Sequence, residues 1–164
     1  MKIEVQEASI NDKLIIRNMM ELYNYDLSEY DDSDLNEHGL FDYKYIDNYW
    51  TEENRYPFIV KVNGKLAGFV LAGIYGGVTS YPTDYSIAEF FILKKYRKNG
   101  VGKIIAFEVF DKFCGNLEIK QLKKNSISHF FWRKVIAQYT LNNFEEITNF
   151  TKLWDGPIQR FNNK

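Results

Sequence analysis

Ser86-Ile87-Ala88-Glu89-Phe90-Phe91-Ile92-Leu93 runs directly into Lys94-Lys95-Tyr96-Arg97-Lys98-Asn99-Gly100-Val101-Gly102-Lys103. The first eight residues are the most apolar strand in the chain and predict a central strand covered on both faces. The next ten form a basic, glycine-bearing loop that opens a helix, with Val101, Ile104, Ile105, Glu108 and Val109 near one side. The first N–H groups of a helix have no intrahelical partner, and the helix dipole adds roughly half a positive charge at that end. Glycine at positions 100 and 102 removes side chains that would hold a phosphate away. Lys94, Lys95, Arg97, Lys98 and Lys103 surround the same spot. The spacing fits neither the P-loop nor the G-x-G-x-x-G dinucleotide fingerprint. On the residues alone, a pyrophosphate site and a merely solvated helix start both stand.

Working outward from this stretch, the chain alternates strands and helices. Ile3 and Val5 alternate with polar residues and predict a first strand. Asn11 or Asp12 caps a helix that runs to about Tyr25 through Leu14, Ile15, Asn18, Met19 and Leu22. Residues 26–39 read as an acidic loop with a short helical piece, and Phe41 to Trp50 as a second helix. Pro57–Val62 and Leu66–Ile74 form a hairpin across Asn63-Gly64, a turn pair that accepts positive φ. Gly76-Gly77 and Pro82 mark a loop before the apolar strand. The basic-loop helix ends at Gly115. Leu117, Ile119 and Leu122 pattern a fifth strand, and Ser126 or Ser128 starts a helix through Tyr139. Strands around Phe144–Phe150 and Ile158–Phe161 close the chain across Asp155-Gly156-Pro157. The order is β-α-α-β-β-β-α-β-α-β-β in a single α/β (α+β) domain, residues 1–164.

Composition excludes several classes. With 45% hydrophobic and 26% charged residues, the chain is neither disordered nor collagen-like. The 13 Phe, 12 Tyr and 3 Trp supply a core and can line a cleft. The one cysteine, Cys114, cannot close an internal disulfide and reads as a buried thiol in a reducing cytoplasm. No run approaches the roughly 20 apolar residues of a membrane helix, and Met1-Lys2-Ile3-Glu4-Val5 lacks a signal-peptide core, so a soluble cytoplasmic protein is expected. No His, Cys or Asp cluster has metal-ligand spacing; His38 and His129 read as surface or packing residues. The net charge of −1 conceals a split: residues 1–93 carry 7 Lys+Arg against 16 Asp+Glu, residues 94–164 carry 14 against 6. Such a chain can handle two ligands of opposite sign.

Arg97-Lys98-Asn99-Gly100-Val101-Gly102 matches Gln/Arg-x-x-Gly-x-Gly/Ala at every fixed position. With the element order, it resembles the acetyl-CoA loop of the GCN5-related N-acetyltransferase superfamily, over nearly the whole chain. The resemblance implies a mixed, mostly antiparallel sheet of about 6–7 strands and about 4 helices, with strands 4 and 5 splayed into a V-shaped cleft for acetyl-CoA, a cosubstrate, and no metal. By the same resemblance, Arg97, Lys98, Asn99, Gly100, Val101, Gly102 and Lys103 hold the pyrophosphate. The main chain of Phe91, Ile92 and Leu93 pairs with pantetheine, the Leu93 N–H polarises the thioester carbonyl, and Asn125 contacts coenzyme A.

Direct attack by an amine on the thioester needs a base. Glu89 is the candidate, at i−2 from Phe91 and i−4 from Leu93 on an apolar strand, where a carboxylate must be paired or face a wet cleft. A structural carboxylate is the competing reading. The family often carries Phe-Tyr-x-Lys-x-Gly-Phe in its last helix, its Tyr protonating the leaving thiolate. Here the run is Phe131-Trp132-Arg133-Lys134, so Trp132 replaces that Tyr and is expected to pack at the cofactor end of the helix. Between Asp26 and Glu37 lie six carboxylates without Lys or Arg, interleaved with Tyr30 and preceded by Tyr23 and Tyr25. Tyr25, Asp26, Glu29 and Tyr30 are therefore candidates for binding a small cationic amine, against the alternative of an acidic solvated loop. Two other functions stay open: an acyl-CoA-binding sensor or inactive domain, and single-strand nucleic-acid binding through Phe130–Lys134. Helical apolar periodicity and a pI of 6.1 weigh against the second, and no membrane partner is expected. The apolar last strands could pair across a homodimer.

Overall fold

The computed structural model describes residues 1–74, 82–148 and 153–164. Seven strands form one sheet: β1 (Ile3–Glu7), β2 (Arg55–Val62), β3 (Lys65–Gly73), β4 (Tyr85–Ile92), β5 (Asn116–Lys120), β6 (Glu145–Ile147) and β7 (Ile158–Asn162). The helices are α1 (Lys13–Asp31), α2 (Asn48–Thr51), α3 (Val101–Phe110) and α4 (Ser126–Tyr139). The spatial order is β1-β2-β3-β4-β5-β7-β6. All neighbours are antiparallel except β4 and β5, which are parallel. Element order, strand count and mixed sheet agree with the sequence reading.

Four boundaries differ. Helix α1 extends to Asp31, nearly two turns past Tyr25, because the acidic stretch contains no Gly or Pro to stop it; the chain turns only at Asp32, which takes φ +57°. The second helix shrinks to the single turn of α2, where Tyr49 is buried and Trp50 Nε1 donates to the Ala8 carbonyl at 3.0 Å. Helix α3 stops at Phe110 rather than at Gly115, which instead leads into β5. Strand β6 is shorter than expected; residues 149–150 of that expectation, like Gly76-Gly77, lie outside the described residues. Cys114 is exposed, not buried, because Phe113 beside it takes the inward position.

The sheet separates two cores. On one face, Phe58, Val60, Val70, Ile87 and Ile92 pack with Ile105, Phe110, Trp132 and Ile136 of α3 and α4. On the other, Ile59, Phe69, Leu71 and Phe91 pack with Ile16, Met19 and Met20 of α1 and with Ile46 and Tyr49. Strands β3 and β4 approach so closely at Gly68 that a Cβ there would lie 1.9 Å from the Phe91 carbonyl oxygen. A larger residue therefore cannot occupy that position without displacing backbone.

One irregularity positions the site. Leu71 faces Glu89 across β3–β4, but the next pair is Ala72 with Ile87, so Ala88 is an extra, bulged residue. Without the bulge, Ile87 and Glu89 would share a face, since side chains alternate with period two. With it, Ile87 turns to the α3/α4 core while Glu89 turns towards α1, as do Leu71 and Phe91.

Candidate active site

β4 and β5 pair only at Tyr85–Leu117, Ser86–Glu118 and Ile87–Ile119. Beyond Ile87, β4 remains bonded to β3 alone, and its other edge opens into a wedge. Within a strand, residues two apart direct their N–H and C=O groups to the same edge. The Leu93 N–H donates to the Ala67 carbonyl at 2.8 Å, and the Phe91 carbonyl likewise turns towards β3. The expectation that the Leu93 N–H polarises a thioester is therefore corrected: that donor is already used inside the sheet. By strand parity it is the peptide groups of Phe90 and Ile92 that face the wedge.

Glu89 sits where the strands part. Tyr23 of α1 and Tyr43 of the α1–α2 connection are the side chains whose hydroxyls act on its carboxylate. Tyr23 is held edge-on against Phe69 and Phe91, with ring centroids 5.8 and 5.9 Å away. Desolvation pushes the Glu89 carboxyl up from 4.5 to about 7, against the two tyrosine hydrogen bonds and the charge of Lys120, which pull it down. Burial, and then the neighbouring Glu89 charge, raise the Tyr23 phenol well above its ordinary value, so it keeps its proton. Lys120 follows Ile119 on β5 and carries its ammonium 5.5 Å over the Trp154 ring.

At the far end of β4, Lys98 and Gly100 both take positive φ, +67° and +76°, and α3 begins at Val101. The first helical bond is from the Ile104 N–H to the Gly100 carbonyl. The N–H groups of Val101, Gly102 and Lys103 precede it and have no helical acceptor. Among the described residues, no atom lies within 4 Å of a Cβ placed on Gly100, so the space in front of this helix start is open. Gly102 instead faces the Phe131 ring of α4, 3.1 Å from an added Cβ. Lys98, Asn99 and Lys103 are exposed around the same loop.

The Arg97 side chain turns away from that loop. Its Nε donates to the Ile92 carbonyl and its Nη2 to Asp26, both at 2.6 Å. Lys94 adds a second contact to Asp26 at 3.1 Å. Their positive charges hold the Asp26 carboxyl below its ordinary value despite some burial. Arg97 thus ties α1 to the end of β4. Asn125 caps α4, its Oδ1 accepting from the Ser128 N–H at 2.9 Å. Trp132 is only 4% exposed, its ring centroid 4.9 Å from that of Phe90 and 6.2 Å from that of Phe110. It belongs to the core between the sheet and α3. The Tyr139 hydroxyl donates to Asp111 at 2.7 Å.

Of the four acceptor candidates, the fold brings only part of one face to the site. On α1, Tyr23, Asp26 and Tyr30 lie along one side at helical spacing. Tyr25 is 67% exposed, two positions and therefore about 200° around the helix from Tyr23. Glu29 is also exposed. Sequence reasoning missed Tyr23 and Tyr43 as partners of Glu89. The signal for Tyr23 was present: it continues the buried series Ile16, Met20 at i+7, a phase visible once the helix is carried past Tyr25. Among the described residues, no group of three or more His, Cys, Asp or Glu could hold a metal ion.

The profile of the acetyltransferase (GNAT) family matches residues 18–136, which include β4, the glycine loop and most of α4. The chain belongs to the acetyltransferase (GNAT) family. Solved structures share the fold of this acetyltransferase. The PaiA N-acetyltransferase of Thermoplasma acidophilum in complex with coenzyme A superposes with TM-score 0.65 at 14% identity, over 99% of this chain and 100% of that one. An acetyltransferase from Thermus thermophilus gives 0.68 at 11% identity, over 99% and 98%. The aminoglycoside acetyltransferase AAC(6')-Ib with coenzyme A gives 0.63 at 12% identity, over 98% and 95%. A search of curated proteins finds no significant match. Among the described residues, no helix is long and apolar enough to cross a membrane.

Proposed function

We propose that this GNAT acetyltransferase moves the acetyl group of acetyl-CoA to the primary amine of a small molecule in the cytoplasm. The observation that carries the reading is the open edge of β4 beyond Ile87, running from a desolvated carboxylate at Glu89 to an unobstructed helix start at Gly100. One end suits proton transfer, and the other suits a pyrophosphate. The neighbours bound to coenzyme A fit the same reading.

In this scheme the N–H groups of Val101, Gly102 and Lys103 face the pyrophosphate, with Lys98, Asn99 and Lys103 around it. Ile92 offers its wedge-facing N–H to the thioester carbonyl, in place of Leu93. Glu89 takes one proton from the acceptor's ammonium, cationic until that moment. The freed amine nitrogen bonds to the acetyl carbon and the carbon–sulfur bond breaks. The second N–H proton ends on the departing thiolate. A carboxyl near pH 7 is suited to this base role, since it is substantially ionised yet basic enough to accept. The exposed Tyr25 and Glu29 and the half-buried Tyr30 are left as an outer wall for the acceptor.

Calorimetric titration of acetyl-CoA into wild type and Gly100→Glu tests the site. Micromolar binding that is largely lost in Gly100→Glu but retained by Gly100→Ala is expected. The alanine shares the backbone strain of positive φ without the charge. Absence of binding to folded wild type overturns the reading.

A further inference from the structure

Helix α1 crosses the sheet from β3 towards β5. Its Tyr23 packs edge-on against Phe69 of β3 and Phe91 of β4. One turn on, Asp26 meets Lys94 and Arg97, just after β4. At the helix end, Asp32 Oδ2 lies 3.3 Å from Lys124 Nζ, in the connection between β5 and α4. The stretch between these two anchors therefore roofs the wedge that opens between β4 and β5. We propose that the space under this roof takes a primary amine that also carries a carboxylate and an apolar or aromatic body, the chemistry of an apolar α-amino acid. This rests on the acetyl-transfer reading above and narrows its acceptor.

The inner side of the roof is apolar. Leu27 and Tyr30 follow Tyr23 at i+4 and i+7, so all three point the same way. Leu27 and Tyr30 are half-buried, yet neither belongs to the two cores. Among the described residues, Tyr30 has no ring partner and its hydroxyl no hydrogen-bond partner. The acidic character of this segment is turned elsewhere. Asp26 and Asp32 are ion-paired, Asp31 accepts from the Ser33 N–H and hydroxyl at 3.0 and 2.6 Å, and Glu29 is exposed. A polycation would find the α1 carboxylates nearest the wedge already occupied by Lys and Arg.

The β5 wall carries a positive charge. Ile119 belongs to the α3/α4 core, so the next residue, Lys120, faces the α1 side, just past the last β4–β5 pair, Ile87–Ile119. Its ammonium lies 5.5 Å over the Trp154 ring, and among the described residues it pairs with no carboxylate. Glu118, two residues earlier on the same face, accepts from the Thr83 hydroxyl at 3.3 Å. Glu89 reaches the same side from β4 through the Ala88 bulge. The wedge thus offers one carboxylate to an ammonium and one ammonium to a carboxylate, beneath an apolar roof. An unpaired charge in a partly desolvated cleft is costly, and a zwitterion satisfies both at once. A polyamine would instead bring a further positive charge against Lys120.

Acetyl transfer from acetyl-CoA to L-phenylalanine, phenethylamine and spermidine tests the assignment. Phenethylamine keeps the aromatic body without the carboxylate, and spermidine is a polycation without either. In wild type, kcat/KM for L-phenylalanine is expected to exceed both others by about 10-fold or more, the scale of one charge-assisted hydrogen bond. Lys120→Met should lower the ratio of kcat/KM for L-phenylalanine over phenethylamine by about 10-fold, and Lys120→Arg should restore most of it. The ratio cancels any common effect on Glu89, whose carboxyl the Lys120 charge pulls down. Tyr30→Ala should lower the preference for L-phenylalanine over glycine by about 10-fold, as an apolar contact is lost. Wild type that prefers spermidine or phenethylamine, or a ratio indifferent to Lys120→Met, overturns the inference. Should Lys120→Met fail to fold, the wild-type order of acceptors and Tyr30→Ala decide alone. Failure of the acetyl-transfer reading shows separately, as wild type that transfers no acetyl group to any amine, and it takes the acceptor assignment with it.

Discussion

The two faces of β4 are built for different ends. Towards α3 and α4, Ile87, Phe90 and Ile92 meet a continuous apolar layer in which Val101, Ile105, Phe110 and Ile136 are wholly buried. Towards α1, the same strand carries Phe91 of the second core and Glu89, on which Tyr23, Tyr43 and the charge of Lys120 from β5 act. The first face gains stability from buried area. The second gives some of it up, because a desolvated carboxylate is costly unless bonded. The contrast shows that one strand can serve both ends, since successive side chains serve opposite layers and a single bulge decides which layer receives the carboxylate.

Substitutions separate the faces. On the apolar side, Phe110→Ala should cost about 3–5 kcal/mol in denaturant unfolding, the range for an emptied aromatic site. Phe110 packs against Trp132, Tyr139 and Phe161, so little can collapse into the gap. Acetyl-CoA affinity measured on the remaining folded protein should change little; a selective loss of affinity would erase the distinction between the faces.

On the reactive side, Glu89→Gln should lower kcat by roughly 100-fold or more while leaving neutral-pH stability equal or improved. The sign follows from linkage. The Glu89 carboxyl titrates at 4.5 unfolded and about 7 folded, so between these values the folded chain holds the extra proton. Stability therefore falls as pH rises through that window. Removing the carboxyl should flatten this part of the stability–pH curve, read by thermal unfolding from about pH 4 to pH 8. In wild type, kcat should fall below about pH 7 as Glu89 takes up a proton. A Glu89→Gln protein that is less stable at neutral pH would make Glu89 a structural carboxylate.

The smallest effect is expected at the strap between α1 and the glycine loop. Asp26→Asn removes ion pairs with Arg97 and Lys94 that are partly exposed, so the stability loss should be at most about 1 kcal/mol and smaller still in high salt. The depressed Asp26 carboxyl contributes at neutral pH, and that contribution is lost as pH falls through its folded value. A loss comparable to Phe110→Ala would mean that the strap, not the core, holds α1 in place.

The fold was legible because local rules repeat along the chain. Alternation marked β1, Asn63-Gly64 marked the β2–β3 turn, and glycine and proline marked most connections. Lengths were less legible at residues 26–31 and 41–47. Acidic residues in the first stretch look like a loop, yet none of them breaks a helix. Tyr43 and Ile46 in the second keep helical spacing, yet the chain forms turns that send Ile46 into the α1 core. Within the site, Glu89 and the glycine loop were visible because each needs only its own strand or helix start to be placed.

Sequence alone thus determined the element order, the helix start at Gly100 and the presence of a carboxylate on the central strand. These depend on residue type and short-range spacing. Tertiary structure alone decided which way that strand faces, which of its amides are already bonded, and who meets Glu89. The Ala88 bulge, the Leu93–Ala67 bond and the approach of Tyr23 and Tyr43 all join residues distant in the chain. A one-residue change of register moves each of them, and no local periodicity records it.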